Sequence, residues 1–197
     1  MVLRMMGFEI GEGVYIGFSY IEADSISIGD NASIGGFNVI KGLKEFHLGD
    51  SSTIGKLNVI TANKYFRNIY TSAGVFFVGN NSAITMRHYI DVQERIIIGD
   101  KSLIAGIGTF IFTHQKGTTD LNEAKEIQIG NKVYVGAACL ILPGTEIHDN
   151  CIIGAGSTLV GKYNNEFSLV TGDKARFKKT LSSEHPYFSN EDPAGPN

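Results

Sequence analysis

The side chains of this sequence best suited to proton transfer near neutral pH are its five histidines. A neutral imidazole held beside a hydroxyl can take its proton while the oxygen attacks a carbonyl, which is the work of a general base. His47 and His148 flank regularly spaced aliphatic residues and are expected at the surface, whereas His185 lies in a polar tail that contains proline. His88 and His114 are therefore the candidates for chemistry.

The elements that must position these two histidines are set by a repeat of six residues. In the C-terminal half an aliphatic residue recurs at every sixth position, at Ile129, Val135, Ile141, Ile147, Ile153 and Leu159. The same frame runs backward in triplets that begin at Ile10, Ile28, Leu48, Val78 and Ile98. The first triplet ends on Glu22, the only member that is not apolar, and the fifth ends on Phe110. Such internal periodicity predicts a solenoid, in which each unit buries its apolar face against its neighbours.

Three hexads form one coil, so the frame predicts seven triangular coils. The interruptions of the frame all follow a third hexad, which predicts that every loop leaves from one corner. The fifth position of each hexad is expected to lie at a corner where small side chains fit. Dipeptides such as Asp30-Asn31 and Asn80-Asn81 are predicted to form left-handed turns.

His114 and His88 both occupy fifth positions in this frame, where a bulky polar ring is unusual. His114 precedes the longest interruption, residues 116–128, and one interpretation is a polar residue at the point where the chain turns outward. One interpretation of His88 is a half-buried histidine bonded within a polar column that includes Asn38 and Asn58.

Composition limits the partners of the chain. A net charge of -3 and a pI near 5.9 argue against nucleic acid and anionic membrane surfaces. No stretch of about 18 apolar residues exists, and MVLRMMGFEIGEG has no signal-peptide core, so we expect a cytoplasmic protein. Cys139 and Cys151 take fifth positions as small apolar fillers, and neither a disulfide nor a metal site is expected.

The hexads resemble those of the hexapeptide-repeat acyltransferases. The stretch Phe112-Thr113-His114, a polar loop and Ile127–Gly136 is similar to the catalytic region of sugar O-acetyltransferases in that family. The resemblance implies a left-handed parallel β-helix, a homotrimer and acetyl-coenzyme A as acyl donor. It also implies that His114 is the catalytic base and that Tyr134, where the family usually has tryptophan, helps to bind the substrate. The stretch Ile84–Asp91 resembles a segment of polysaccharide-associated members of the family, which makes Arg87 and His88 candidates for the acceptor site.

The same resemblance implies where coenzyme A binds. Small residues along the stacked C-terminal turns would line the pantetheine groove, namely Gly136, Ala137, Gly154 and Ala155. Lys162 and Arg176 match basic residues of the family's C-terminal motif and would contact the phosphates. The alternative for the small residues is that they are tight corners of the coil, and for the two cations that they are solvated surface charges.

The predicted organisation is a β-helix domain over 1–162 with loops at 61–77 and 116–128, a cap over 163–181 and a flexible tail over 182–197. Residues 174–181 are predicted to form a short basic helix that closes the solenoid. The function predicted is O-acetylation of a sugar or polysaccharide precursor. Two alternatives remain open, a zinc hydratase of the γ-carbonic-anhydrase type and a scaffold subunit without catalysis.

Overall fold

The computed structural model describes residues 7–116 and 122–190. Strands dominate these residues, and each of the two helices among them has only four residues. In chain order the elements are β1 (Glu9–Ile10), β2 (Tyr15–Ile16), β3 (Tyr20–Ile28), β4 (Ser33–Ile34), β5 (Val39–Leu48), β6 (Thr53–Ile54), β7 (Val59–Thr61), α1 (Lys64–Arg67), β8 (Val75–Val78), β9 (Ala83–Met86), β10 (Tyr89–Asp91), β11 (Ile96–Ile98), β12 (Leu103–Ile107), β13 (Phe110–Phe112), β14 (His114–Lys116), β15 (Asn122–Ala124), β16 (Ile127–Ile129), β17 (Tyr134–Val135), β18 (Leu140–Ile141), β19 (Glu146–Ile147), β20 (Cys151–Ile153), β21 (Thr158–Leu159), β22 (Lys162–Tyr163), β23 (Ser168–Thr171), β24 (Arg176–Thr180) and α2 (Pro186–Ser189).

The strands wind into a left-handed parallel β-helix, as the six-residue repeat and its resemblance predicted. On the first side the predicted coil starts pair in parallel in one continuous column, Ile10, Ile28, Leu48, Val78, Ile98, Ile129 and Ile147, which Tyr163 extends. On the second side the predicted hexad starts pair in the same way, from Ile16 through Ile153 to Val170. The aliphatic side chains of these columns fill the interior of the prism.

The third side corrects the predicted frame at two places. Ile21, and not Glu22, pairs with Ile40 in the first coil, so no charged residue enters that column. In the fifth coil Ile111, and not Phe110, pairs with Ile90 and with Ile141. Ile111 is fully buried, whereas Phe110 is 46% exposed.

The shift in the fifth coil arises at its second corner. Ile104 pairs with Ile84 but Ile107 pairs with Met86, so one extra residue is inserted there. The insertion is absorbed next to Gly106, whose φ of +69° suits glycine. The prediction that every interruption leaves from the third corner was therefore wrong at this place, where one residue is inserted at the second corner. Because of that insertion, His114 does not occupy the fifth position of its hexad.

A column of hydrogen bonds stabilises the first corner. Side-chain oxygens of the turn residues, such as Asp50 and Asn80, accept the backbone N–H of the preceding coil's turn residue at 2.8 and 2.9 Å. The residues that follow them have positive φ, at Asn31, Ser51, Asn81, Lys101, Lys132 and Asn150. The left-handed turns predicted at Asp30-Asn31 and Asn80-Asn81 are thus confirmed.

Both long interruptions leave at the third corner, on the same side of the molecule. The first contains α1, for which the Asn63 side chain accepts the N–H of Tyr65 at 2.9 Å as an N-cap. The second is an antiparallel hairpin of β14 and β15. Phe66, Ala73 and Ala124 bury themselves together, so the two insertions pack against each other.

The C-terminal segment differs from its prediction. Residues 176–180 form strand β24, antiparallel to β23, and not a helix. Pairing in this way gives hydrogen-bond partners to the backbone groups at the exposed edge of the second side. The short C-terminal helix is instead α2, within the segment predicted to be a flexible tail. There Phe188 is buried and the Tyr187 hydroxyl donates to the Val133 carbonyl at 2.9 Å. Residues 191–197 lie outside the described residues.

Neither helix of the described residues has the length or apolar character needed to cross a membrane.

Candidate active site

His114 lies at the third corner, where the chain leaves the third side of the prism. β13 ends at Phe112, and His114 then begins the first strand of the hairpin. The register of β13 sets the position of His114, because Phe112 pairs with Asp91 of the coil before. This pairing brings the histidine next to a carboxylate that is 23 residues away in sequence.

The imidazole of His114 contacts that carboxylate directly. His114 Nδ1 lies 2.6 Å from Asp91 Oδ2, and the side chain of Asp91 is only 4% exposed. The histidine side chain is 35% exposed, so its ring reaches the surface while its partner does not. A buried carboxylate is costly unless it is hydrogen-bonded, and the Nδ1–H of His114 supplies one such bond.

A second donor completes the surroundings of Asp91. The side-chain amide of Gln93 donates to Asp91 Oδ1 at 2.7 Å. With Oδ1 occupied, Oδ2 faces Nδ1 of His114, which places the proton of the neutral imidazole on Nδ1. Nε2 then carries a lone pair, and among the described residues it has no hydrogen-bond partner. This is the state of a histidine ready to accept a proton.

Thr113 fixes the backbone on which His114 is mounted. Its hydroxyl donates to the Asp91 carbonyl at 2.8 Å and accepts the Glu94 N–H at 3.0 Å. The Thr113 side chain is fully buried. The strands that carry the acid and the histidine are therefore bonded through a side chain as well as through the backbone.

An aromatic wall stands beside the imidazole. The ring of Phe66, on α1, lies 5.2 Å from the ring of His114. Tyr70 stacks against Phe66 at 6.4 Å, and its hydroxyl accepts the N–H of Ala124 at 3.3 Å. The first insertion thus builds one face of the site and contacts the second.

His88 lies at the second corner in a different environment. Its ring is 1% exposed, its Nδ1 accepts the N–H of Thr109 at 3.1 Å, and its Nε2 therefore donates to Thr85 Oγ1 at 3.0 Å. Its own backbone N–H donates to Asn58 Oδ1, and the Asn58 N–H in turn donates to Asn38 Oδ1. Burial lowers the pKa of His88 to about 4. Both ring nitrogens are used within the chain, which favours the polar-column interpretation over a direct contact with substrate.

Comparison with known proteins identifies the family. A family model described as bacterial transferase hexapeptide (six repeats) matches residues 126–161. The galactoside O-acetyltransferase of Escherichia coli (strain K12) is 34% identical over 137 residues, which cover 62% of this chain and 67% of that protein. The chain belongs to the hexapeptide-repeat acetyltransferases. It spans between 57% and 69% of the length of the four curated relatives that it matches.

Solved structures share the fold of this acetyltransferase. LpxA, a UDP-N-acetylglucosamine acyltransferase from Bacteroides fragilis 9343, superposes with a TM-score of 0.61 at 20% identity, over 87% of this chain and 69% of that one. The hexapeptide-repeat acetyltransferase VCA0836 from Vibrio cholerae gives a TM-score of 0.54 at 22% identity, over 69% of this chain and 74% of that one. At these identities the likeness establishes the fold alone.

The other predicted acceptor residues of the acetyltransferase lie on different faces. Arg87 is exposed at the second corner, in a left-handed turn with φ of +56°. Tyr134 lies on the second side, where the ring of Tyr187 packs edge-on against it at 5.4 Å. The structure does not bring either residue into contact with His114 within one chain, and their roles stay predictions.

The small residues predicted to line the coenzyme groove lie at the second corner of the C-terminal coils. A Cβ on Gly136 would meet the Ala155 nitrogen at 2.6 Å, and one on Gly154 would meet Thr171 Oγ1 at 2.5 Å. Close stacking of the coils therefore requires these glycines. Ala155 is exposed and Ala137 is partly so. The corner accordingly presents backbone and methyl groups to any molecule that lies along it.

The two predicted phosphate contacts are exposed cations of the last turns. Lys162 Nζ lies 2.8 Å from Glu146 Oε1, so that its charge is already paired on the first side. Arg176 begins β24 and is exposed. Both thiols are buried, and burial raises the pKa of Cys139 and of Cys151, as suits fillers of the corners.

Sequence reasoning found His114 but missed Asp91, Gln93 and Phe66. The signal for Asp91 was an acidic residue directly after the buried Ile90, one coil before the histidine. Its pairing with His114 depends on the extra residue near Gly106, which the hexad count does not reveal.

Within residues 7–116 and 122–190, no three His, Cys, Asp or Glu side chains are grouped so that they could hold a metal ion. Membership of the acetyltransferase family, rather than this observation, favours acyl transfer over zinc hydration and over a scaffold role.

Proposed function

We propose that this acetyltransferase moves the acetyl group of acetyl-coenzyme A to a hydroxyl of a sugar or polysaccharide precursor, with His114 as general base. The observation that carries the proposal is the contact of His114 Nδ1 with the buried Asp91, which leaves Nε2 unprotonated at the surface. Sugar hydroxyls are weak nucleophiles at neutral pH and need such a base. The similarity to a galactoside O-acetyltransferase supports a sugar acceptor.

The transfer proceeds directly from donor to acceptor. Nε2 accepts the hydroxyl proton as that oxygen forms a bond to the thioester carbonyl carbon. The resulting tetrahedral intermediate collapses with cleavage of the carbon–sulfur bond, and the imidazolium returns the proton to the departing thiolate. Asp91 stabilises the imidazolium throughout, as the acid does in a catalytic triad. The chain's other task is to hold the two substrates in line.

Coenzyme A is proposed to lie along the second corner of the C-terminal coils. The backbone around Gly136, Ala137, Gly154 and Ala155 would face the pantetheine chain, because side chains there are small. Arg176 is exposed and could contact a phosphate, whereas Lys162 would have to exchange its partner Glu146.

We further propose that the protein works as a homotrimer in the cytoplasm. In a trimer, the second corner of one chain and the third corner of another can face the same cleft, which would unite the coenzyme groove with His114. Acetyl-coenzyme A is a cytoplasmic metabolite, which supports that location. Sedimentation equilibrium should give three times the 21.4 kDa mass of the chain.

The proposed reaction is tested by following thiol release from acetyl-coenzyme A with a panel of sugars, nucleotide sugars and amino sugars. His114→Ala should lose about 10²- to 10⁴-fold in kcat/KM. His148→Ala is the matched control, because His148 is exposed on the first side. Equal turnover by wild type and His114→Ala would refute the proposed base, and acetylation restricted to amines would refute the hydroxyl acceptor.

A further inference from the structure

Gln93 is a buried side chain whose amide is bonded at both ends. It is 7% exposed and lies two residues after Asp91. Its Nε2 donates to Asp91 Oδ1, and its Oε1 accepts the backbone N–H of Asn63, each at 2.7 Å. Asn63 is the N-cap of α1, the helix that carries Phe66.

The bond from Asn63 fixes the orientation of this amide. A backbone N–H can only donate, so the atom that it contacts must be the oxygen of Gln93. The NH2 group consequently faces Asp91, and Asp91 Oδ1 must be an acceptor. The carboxylate is thus held in one orientation, with Oδ2 directed to Nδ1 of His114.

We propose that Gln93 is a positioning residue that sets the tautomer of His114 through Asp91. This inference rests on the proposed function of His114. The donor from Gln93 holds Asp91 Oδ1, so that Oδ2 accepts from Nδ1 of His114 and Nε2 is left without a proton. The same amide ties Asp91 to the first insertion, which also supplies Phe66 beside the imidazole.

Gln93→Met tests the proposal because it keeps the length of the side chain and removes both polar atoms. Without the donor, Asp91 Oδ1 loses the bond that holds the carboxylate in place, so the bond between Oδ2 and Nδ1 of His114 should weaken. The tautomer of the neutral imidazole should therefore change from Nδ1–H alone to a mixture. Long-range ¹H–¹⁵N spectra of the imidazoles report the tautomer without any substrate, and the His114 signals are assigned by their loss in His114→Ala.

Activity gives a second readout of the same substitution. Because only the Nδ1–H tautomer leaves Nε2 free to accept a proton, kcat/KM should fall with the fraction of that tautomer that is lost. Gln128→Met is the control, since Gln128 is an exposed glutamine on the first side. An unchanged tautomer of His114 in Gln93→Met would overturn the proposal.

A measurement on the wild-type protein covers the case in which Gln93→Met does not fold. The side-chain amide protons of Gln93 should shift with pH in parallel with the imidazole signals of His114, whereas those of Gln128 should not. Absence of that shift at Gln93 would contradict the coupling.

The two proposals fail in different ways. If His114→Ala retains full activity while the spectra show the coupling, the proposed base is wrong and the positioning contact stands. If His114→Ala is inactive while Gln93→Met matches wild type in tautomer and activity, the base stands and the role of Gln93 is refuted.

Discussion

The second corner of the coil buries His88 in a column of hydrogen bonds, whereas the third corner leaves His114 partly exposed beside a buried carboxylate. At the second corner each coil contributes one polar side chain, and each accepts the backbone N–H of the next, from Asn38 through Asn58 and His88 to Thr109. At the third corner the chain opens into two insertions, and the bonds run between side chains.

The difference shows that each corner of the coil gives its imidazole different partners. His88 accepts at Nδ1 and donates at Nε2, so both ring nitrogens are bonded within the chain. His114 uses Nδ1 alone, in its contact with Asp91. A closed corner makes histidine a structural residue, and an open corner with an acid makes it available for proton transfer.

The largest expected difference between the two corners is in acetyl transfer, measured after each imidazole is removed in turn. His114→Ala should lower kcat/KM by about 10²- to 10⁴-fold. His88→Asn, which repeats the residue of the two preceding coils, should change it by less than about threefold (~0.5 kcal/mol), because asparagine accepts the same backbone N–H bond there and His88 does not contact His114. A large loss in His88→Asn with intact folding by circular dichroism would show that the second corner takes part in catalysis.

The second prediction concerns the register that separates the two corners. Ile111→Ala should lower the free energy of unfolding by about 2–5 kcal/mol, because the fully buried side chain leaves a cavity. Phe110→Ala, one residue earlier and 46% exposed, should cost less than about 1 kcal/mol within one chain. Urea denaturation measures both values. A larger loss of unfolding free energy in Phe110→Ala than in Ile111→Ala would mean that Phe110 lies in the interior, and His114 would then not lie next to Asp91.

The architecture was predictable from the sequence because its cause is local and repeated. An aliphatic residue at every sixth position and a turn residue such as Asn81 after it are visible in the chain, and both were confirmed to the level of register on the first and second sides. The predicted helix over 174–181 failed because its basic pattern gives no information about the unpaired edge of β23, to which these residues bond.

The site was predictable only in part, because its geometry depends on irregularities. His114 stood out by residue type, but the one residue added near Gly106 decides that Asp91 is its neighbour. Phe66 reaches the site, and Gln93 is bonded to Asn63, through an insertion whose path no hexad constrains. Contacts made by the insertions join residues that are far apart in the sequence, so the six-residue repeat does not predict them.

The third prediction uses pH to sharpen the comparison. His88 has a pKa of about 4 in the folded protein, below its ordinary 6.5, so the folded state binds fewer protons than the unfolded state between these values. Stability should therefore fall as the pH drops from 6.5 toward 4, by about 2 kcal/mol between pH 7 and pH 5 from this group. His88→Asn should lack this contribution. Urea denaturation of both proteins at the two pH values isolates it, and equal losses in both would contradict the buried, neutral ring.

The smallest expected effect compares two buried threonines, one at each corner. Thr109 makes long bonds, accepting from Cys139 N at 3.3 Å and donating to the Gly136 carbonyl at 3.4 Å, whereas Thr113 bonds at 3.0 and 2.8 Å. Valine has nearly the same shape without the hydroxyl, so each substitution leaves one backbone N–H unpaired. Thr113→Val should cost about 1 kcal/mol more in unfolding free energy than Thr109→Val. Thr113→Val should also lower kcat/KM, because Thr113 bonds the Asp91 backbone to that of Glu94, whereas Thr109→Val should not. Equal behaviour of the two variants in both measurements would mean that the corners differ only in their histidines and not in the backbone that holds them.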